Sequence, residues 1–218
     1  MSPAVRQVEV APERIARWVA GCAVRHGTLT WSWPQPGTLR LSAPDGLVAD
    51  LHPLVTRAEV ARDAPDLERW VVADAVVALL LVRRGGYAVG RAEGPALVTH
   101  KVGTRYVQSR TAAGGWSQQR FARRRGNQAD ALVAAVQDHA ARLLTGPGTG
   151  GAPATRPEAL VVGGDRTLVR GTLDDPRLRA LVDLPRASLY DLPDPGLDVL
   201  RRALTRGRSV RVTLTDPP

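Results

Sequence analysis

The chain has 218 residues, which is long enough for one sizeable hydrophobic core or two small ones. A hydrophobic content of 44% and a charged content of 23% are ordinary for a globular protein. The charge balance is unusual, because 30 basic residues against 21 acidic ones give a formal net charge of +9, with Lys101 as the only lysine. Such an arginine surface favours phosphate-rich partners or anionic membranes.

Cysteine content and hydropathy indicate the cellular compartment in which the protein is expected. Cys22 is the only cysteine, which excludes a disulfide within the chain and a multi-cysteine zinc site. The amino terminus has no apolar core of the signal-peptide type, and the longest apolar run, Ala75 to Val82, is too short to span a bilayer. We therefore expect a soluble, cytoplasmic protein.

Residues 1–70 are predicted to form a small α+β unit. An amphipathic helix is indicated at Pro12 to Arg25, since apolar residues recur on one face and Gly27 ends it. Three extended segments follow, at residues 28–33, 38–42 and 47–51. Residues 56–70, which carry several charges and a proline, are predicted to be a loop or a short helix.

Residues 71–216 are predicted to form a second domain that opens with strands. These are residues 74–83, 87–93 and 96–102, with a hairpin turn at 83–86 and an extension of the third strand at 106–110. The longest helix follows, roughly Asn127 to Leu144. Its predicted core-facing residues recur at spacings of four and three: Ala129, Val133, Val136, Ala140 and Leu143.

A flexible connector rich in glycine and proline is predicted at residues 145–157. The remaining elements alternate: a strand at 159–162, helices at 166–170 and 176–181, a strand at 188–191, a helix at 197–205 and a strand at 209–215. Hairpin strands followed by alternating helices and strands indicate an α+β fold, α/β-like in its second domain, in which a mixed β-sheet is flanked by helices.

The segment 105–128 carries the strongest functional signal. A glycine pair stands beside polar residues within it: Gly114, Gly115, Trp116, Ser117, Gln118 and Gln119. Arginines surround this group: Arg105, Arg110, Arg120, Arg123, Arg124 and Arg125. No acidic residue occurs between Glu93 and Asp130. A glycine loop (residues 111–127) that carries an uncharged amide within an arginine field suits the delivery of a polar group to a polyanion, and RNA is the predicted polyanion.

The chemistry of a glutamine limits what this loop can do. The carboxamide does not take up a proton at neutral pH, so it cannot be a general base. It can orient a water molecule with its carbonyl oxygen and donate N–H groups to a developing oxyanion. Those abilities suit the hydrolysis of an activated ester such as the bond between a nascent peptide and its tRNA.

The segment resembles the catalytic loop of peptide chain release factors of the eukaryotic and archaeal type. It is most similar to their Vms-like branch, the peptidyl-tRNA hydrolases of ribosome quality control, and to the actinobacterial relatives, in which a glycine, two residues and a glutamine form the motif. Gly115, Trp116, Ser117 and Gln118 match that spacing. The resemblance implies a ribonuclease H-like catalytic domain, a catalytic Gln118 and ribosome-bound peptidyl-tRNA as substrate. It implies codon-independent release, with the large subunit and its RNA as partners and no cofactor.

Two alternatives stay open at the level of sequence. The first is a non-catalytic module that binds ribosomes or RNA. The second is a ribonuclease H-like, metal-dependent nuclease, in which Asp74 and Asp165, each at the edge of a predicted strand, hold Mg²⁺. The four histidines have no metal-ligand spacing, and we predict no metal site for the hydrolase. Gln119 is the alternative catalytic amide.

Overall fold

The computed structural model describes residues 4–56, 66–104, 117–146 and 155–215. The chain divides into two compact units, one formed by Met1–Ala75 with Thr205–Pro218 and the other by Val76–Leu204. The described residues form two five-stranded sheets, one in each unit. The protein is therefore a mixed α+β protein, as the sequence predicts.

The first unit is an antiparallel sheet with a helix. Its strands are β1 (Val5–Val10), β2 (Thr30–Gln35), β3 (Thr38–Ser42), β4 (Val48–His52) and β10 (Val210–Thr215), in the order β1-β10-β4-β3-β2. A 3₁₀ turn (Pro12–Arg14) leads into α1 (Ile15–His26), and a short helix, α2 (Leu67–Trp70), precedes the second unit. The predicted helix and strands of this region are confirmed to within about two residues.

A single core holds the first unit together. Ile15 and Val19 of α1 pack with alternate residues of three strands, among them Leu39, Leu51 and Val212. All five of these side chains are at most 5% exposed. The alternation of buried and outward residues along β10 and β4 is what turns one face of the sheet towards the helix.

Strands β1 and β10 differ from the prediction. No strand is predicted in the first ten residues, yet β1 pairs with β10 from Val5↔Thr215 to Val10↔Val210. The closing strand, which the sequence predicts as part of the second domain, thus belongs to the sheet of the first unit. Its alternating pattern specifies a strand with one buried face, but not the sheet that the strand joins.

The second unit is a mixed sheet with helices. Its elements are β5 (Val76–Arg83), β6 (Gly86–Glu93), β7 (Ala96–Thr104), α3 (Ser117–Ala140), β8 (Ala159–Gly164), α4 (Arg166–Leu173), α5 (Arg179–Val182), β9 (Arg186–Leu189) and α6 (Leu197–Arg208), whose last turn enters the first unit. The sheet order is β7-β6-β5-β8-β9. Strand β6 is antiparallel to both neighbours, while β5, β8 and β9 are parallel, so that β7 runs in their direction too.

Both faces of this sheet are covered. Strand β5 is buried along nearly its whole length, as expected for a strand packed on two sides. Ala78, Leu80 and Val82 belong to a core that includes residues of α3 and α4. On the other face, a side chain added at Gly90 of β6 would meet Leu200 of α6 at 3.0 Å. The predicted mixed sheet flanked by helices is confirmed.

Helix α3 differs from the prediction in its start and in its buried stripe. It begins at Ser117, ten residues before the predicted Asn127, because glutamine, alanine and arginine, which make up most of the residues that follow, are good helix formers. The buried positions are Leu132, Val136, Ala140 and Leu144, whereas Ala129, Val133 and Leu143 are half-buried at the margin of the core. A π-helical turn at Ala141–Thr145 contains more residues than an α-helical turn. This longer turn keeps Leu144, four residues after Ala140, on the buried face.

Candidate functional site

The residues of the predicted catalytic segment lie partly outside the described structure. Arg105, Arg110, Gly114, Gly115 and Trp116 fall in the stretch 105–116, which the structure does not describe. Ser117, Gln118, Gln119, Arg120, Arg123, Arg124 and Arg125 lie in the first turns of α3. The predicted loop 111–127 is therefore shorter than expected at its carboxyl end, and Gln118 belongs to the amino-terminal turn of a 24-residue helix.

The stretch 105–116 connects an edge of the sheet to the start of α3. Strands β5, β7, β8 and β9 run in one direction, so their carboxyl ends lie at the same edge. Thr104, the last residue of β7, is opposite Gly86 at that edge. Open sheets with parallel strands commonly bind ligands outside the carboxyl ends of those strands. The predicted catalytic segment thus leaves the sheet at the edge where a ligand site is expected.

The last residue of β8 and the residue after it shape this edge through backbone geometry. Gly164 has a φ of +97°, and a side chain added there would lie 2.1 Å from the carbonyl oxygen of Val82. Asp165 then caps α4, because its Oδ1 accepts hydrogen bonds from the backbone N–H groups of Thr167 at 2.8 Å and Leu168 at 3.2 Å. The two glycines that end β8 and the aspartate that follows them therefore form a strand-to-helix turn with a capped helix.

The carboxylate pair considered for a nuclease is not assembled. Asp74 comes two residues before the amino end of β5, whereas Asp165 follows the carboxyl end of β8. Because β5 and β8 are parallel, those two strand ends lie at opposite edges of the sheet, separated by the length of a strand, about 20 Å. The described ranges also contain no group of three or more histidine, cysteine or acidic side chains placed to hold a metal ion.

Sequence reasoning missed a cation stacked on an aromatic ring at the same edge. The guanidinium carbon of Arg166, at the start of α4, lies 4.2 Å from the ring centre of Tyr190, which follows β9. This is the distance of a favourable cation–π contact. Nearby, Arg83 donates hydrogen bonds to the carbonyl oxygen of Leu192 at 2.6 Å and to Asp194 at 3.2 Å. The edge thus presents arginines held in place by defined partners, which no local motif indicates.

A second missed feature anchors α3 to the sheet. The Tyr87 ring on β6 stacks on the His139 ring of α3, with ring centres 5.5 Å apart and planes at 23°. A side chain added at Gly103 of β7 would lie 2.4 Å from the Tyr87 ring, so glycine is required for the ring to lie across β7. This contact fixes α3 against β6 and β7. The predicted catalytic segment follows directly after β7.

Polar contacts anchor the same half of α3 to other elements. Gln137 donates a hydrogen bond to the carbonyl oxygen of Gly171 in α4 at 2.9 Å, and Arg177 forms an ion pair with Asp138 at 2.9 Å. Burial lowers the pKa of the His139 imidazole, and the cations of Arg142 and Lys101 lower it further. The carboxyl-terminal half of α3 is thus firmly attached, and this half supports the turns that carry Gln118.

Comparison with known proteins identifies the class to which this fold and segment belong, the peptide chain release factors. The family model described as Actinobacteria/chloroflexi VLRF1 release factor matches residues 75–213. The chain belongs to this VLRF1 release factor family, as the resemblance in the sequence implies.

The chain was also compared with solved structures and with curated proteins. A solved structure described as the Vms1 mitochondrial localization core is similar over 80% of this chain and 75% of that one, with 12% sequence identity and a TM-score of 0.47. A search among curated proteins found no match. Among the described residues, no helix is both long and apolar enough to cross a membrane.

Proposed function

We propose that this protein is a codon-independent peptidyl-tRNA hydrolase that frees nascent chains from stalled or split ribosomes in the cytoplasm. The observation that carries the proposal is membership of the VLRF1 release factor family over residues 75–213, a range that contains the Gly115-Trp116-Ser117-Gln118 motif. The partners are the large ribosomal subunit with its RNA and the peptidyl-tRNA. The reaction requires no cofactor or metal.

Gln118 is the proposed catalytic residue. Its carbonyl oxygen orients a water molecule, which attacks the ester carbonyl of peptidyl-tRNA, and the products are the free peptide acid and the 3′-terminal hydroxyl of the tRNA. Its amide N–H groups are available to the oxyanion that forms in this step. Gly114 and Gly115 shape the approach of the backbone, and Trp116 and Ser117 seat the loop. Gln119 is the neighbouring amide against which this assignment is tested.

The position of Gln118 in α3 supports this chemistry. The first turn of a helix carries backbone N–H groups without intrahelical partners and the positive end of the helix dipole. Because α3 begins at Ser117, this end lies beside Gln118. A developing negative charge on the ester oxygen is therefore favoured at the place where the carboxamide acts.

The arginines of the segment are the proposed RNA contacts: Arg105, Arg110, Arg120, Arg123, Arg124 and Arg125. Guanidinium groups bind phosphates without reading base sequence, which suits release that is independent of a codon. The sheet order β7-β6-β5-β8-β9, in which only β6 is antiparallel among the described strands of that sheet, supports the ribonuclease H-like catalytic domain implied by the resemblance.

The test is peptide release from purified large subunits that carry peptidyl-tRNA. We expect Gln118→Ala to slow release by about 100-fold or more, the loss typical of removing one oxyanion or water-orienting group. The matched variant Gln119→Ala should release peptide at close to the wild-type rate. Both variants should bind the subunit as tightly as wild type, measured by co-sedimentation. Treatment of the protein with a chelator, removed before the protein is added to the subunits, should leave release intact.

Three results would count against the assignment. Full release by Gln118→Ala would exclude this residue, and loss confined to Gln119→Ala would move the role to its neighbour. Wild-type protein that binds ribosomes with a steep salt dependence yet never frees peptide would identify a binding module without turnover.

A further inference from the structure

A groove of about 400 Å³ lies in the first unit between the edge strand β1 and helix α1. One wall is formed by residues 8–11, at the end of β1 and just after it. The other wall is formed by Arg14, the last residue of the 3₁₀ turn, and by residues of α1: Arg17, Trp18, Gly21 and Arg25. The groove is outside the family match at residues 75–213, and neither the motif nor the proposed hydrolysis uses it.

The groove wall is a regular stripe along the helix. Trp18, Gly21 and Arg25 follow one another at spacings of three and four, which places them along one side of α1. Arg14, at the end of the preceding 3₁₀ turn, comes four residues before Trp18 and extends this stripe. The core stripe of the same helix uses neighbouring positions, Ile15, Val19 and Cys22, and packs on the sheet. Helix α1 therefore has two adjacent stripes, one apolar and buried, the other cationic with a single aromatic ring.

Gly21 keeps the middle of this stripe open. A glycine inside a helix is unfavourable relative to alanine, because it loses more backbone freedom on folding. Nothing in the packing requires it, since a side chain added at Gly21 would meet only the Arg25 guanidinium, at 3.6 Å. What the glycine does provide is room in the middle of the groove wall, beside the Arg25 guanidinium.

The charge of the groove is strongly positive. Three of its lining residues are arginines, all exposed, against one carboxylate, Glu9. Glu9 is already in an ion pair with Arg206 at 3.7 Å. Within the described ranges, neither Arg14 nor Arg17 has a carboxylate within ion-pair distance. An anionic ligand would therefore supply the missing counter-charges.

We propose that this groove binds single-stranded RNA, with the guanidinium groups of Arg14, Arg17 and Arg25 on successive phosphates and a base stacked on the Trp18 ring. Cations that follow the backbone, combined with an aromatic platform, are the general solution for binding single strands without sequence preference. The groove gives the first unit an RNA contact of its own, separate from the arginines of the catalytic segment.

The first test compares charge reversals with matched controls. Binding of a short fluorescein-labelled oligouridine is followed by fluorescence anisotropy over a series of potassium chloride concentrations. Arg14→Glu/Arg17→Glu should weaken binding by about tenfold or more and reduce the slope of log affinity against log salt by about 1.4, that is 0.7 for each lost phosphate contact. Arg69→Glu/Arg179→Glu changes the net charge equally at two exposed arginines that do not line the groove, and it should have a much smaller effect.

The second test separates stacking from charge. Trp18→Leu keeps an apolar side chain against the core but removes the ring, and we expect it to weaken oligouridine binding by roughly 5- to 100-fold. Trp18→Phe retains an aromatic face and should stay much closer to wild type. Gly21→Leu should block the groove without any change of charge. Thermal unfolding of each variant establishes that the chain is folded.

Several outcomes would overturn the proposal. If both double variants lose affinity equally, the attraction is that of the overall charge and not of the groove. If Trp18→Leu and Gly21→Leu bind as wild type, or if inorganic polyphosphate competes as well as RNA at equal phosphate concentration, the groove is no RNA site. The assay measures binding and cleaves no bond, so its result is independent of whether Gln118 hydrolyses an ester.

Discussion

A few side chains determine how α3 is held against the second sheet. Tyr87 lies flat against His139 on the helix and above Gly103 on the edge strand, so one ring links three elements. Arg142 lies 2.8 Å from Nδ1 of His139. An arginine donates in such a contact, which requires an unprotonated nitrogen on the imidazole. His139 is therefore suited to be neutral in the folded protein.

This environment predicts a dependence of stability on pH. Since the pKa of His139 is lowered in the folded state, the unfolded chain binds the proton more readily. The stabilisation is fully present above the ordinary histidine pKa of about 6.5 and is lost as the pH falls below it. We expect the free energy of unfolding to decrease from pH 7.5 to pH 5.5 more steeply in wild type than in His139→Phe, which keeps a ring against Tyr87 but cannot titrate.

Urea unfolding at the two pH values measures this difference. The other titrating groups are common to both proteins, so their contributions cancel in the comparison. Parallel pH dependences for wild type and His139→Phe would contradict the assignment of a lowered pKa to this residue.

Helix α3 combines a firmly packed half with the half that carries Gln118. The buried residues Leu132, Val136, Ala140 and Leu144 recur every four residues, and the π-helical turn after Ala140 maintains that spacing. The sequence periodicity predicts Leu143, and not Leu144, as the buried residue, because that prediction assumes a regular α-helix over the whole segment. The element that presents Gln118 is therefore secured by contacts at its far end.

Two adjacent leucines test this arrangement. Leu144 is 1% exposed and Leu143 is half-buried. Leu144→Ala should destabilise the protein by about 2–5 kcal/mol, as expected when a fully buried leucine is truncated. Leu143→Ala should cost about 1 kcal/mol or less, a partial burial loss. Denaturant unfolding followed by circular dichroism measures both, and equal losses would show that the π-helical turn does not set the buried face.

The first and the last described strands of the chain are neighbours in the sheet of the first unit. The first strand, β1, pairs with the last strand, β10, and β10 in turn pairs with β4. The second unit, Val76–Leu204, is thus inserted between segments of the first. The carboxyl-terminal segment is consequently an internal strand of the first sheet, and it carries the core residues Val210, Val212 and Leu214.

A truncation after Arg208 tests this organisation. It removes β10 and leaves β1 and β4 without their shared neighbour, so we expect the first unit to lose its fold while the second sheet retains all five strands. Amide hydrogen exchange should show protection lost in residues 4–56 and kept in β5 and β8. Uniform protection in the truncated chain would contradict the central place of β10, and uniform loss would show that the two units fold only together.

The order of helices and strands could be predicted from sequence because it depends on local hydrophobic periods and turn residues. The motif at Gly115 and Gln118 could be found in the same way, since its residues are neighbours along the chain, and the family match agrees with the resemblance that it carries. The arginine excess that suggests an RNA partner is also a property of composition. None of these inferences depends on which distant residues meet.

Other features were decided only by the tertiary structure. Three contacts join residues that are far apart in sequence: the pairing of β1 with β10, the Tyr87–His139 contact and the Arg166–Tyr190 contact. The parallel pairing of β5 with β8 likewise determines that Asp74 and Asp165 do not meet. The α1 groove likewise exists only because an edge strand lies beside the helix. Local patterns fix which face of an element is apolar, but the partner of that face is chosen by the packing of the entire chain.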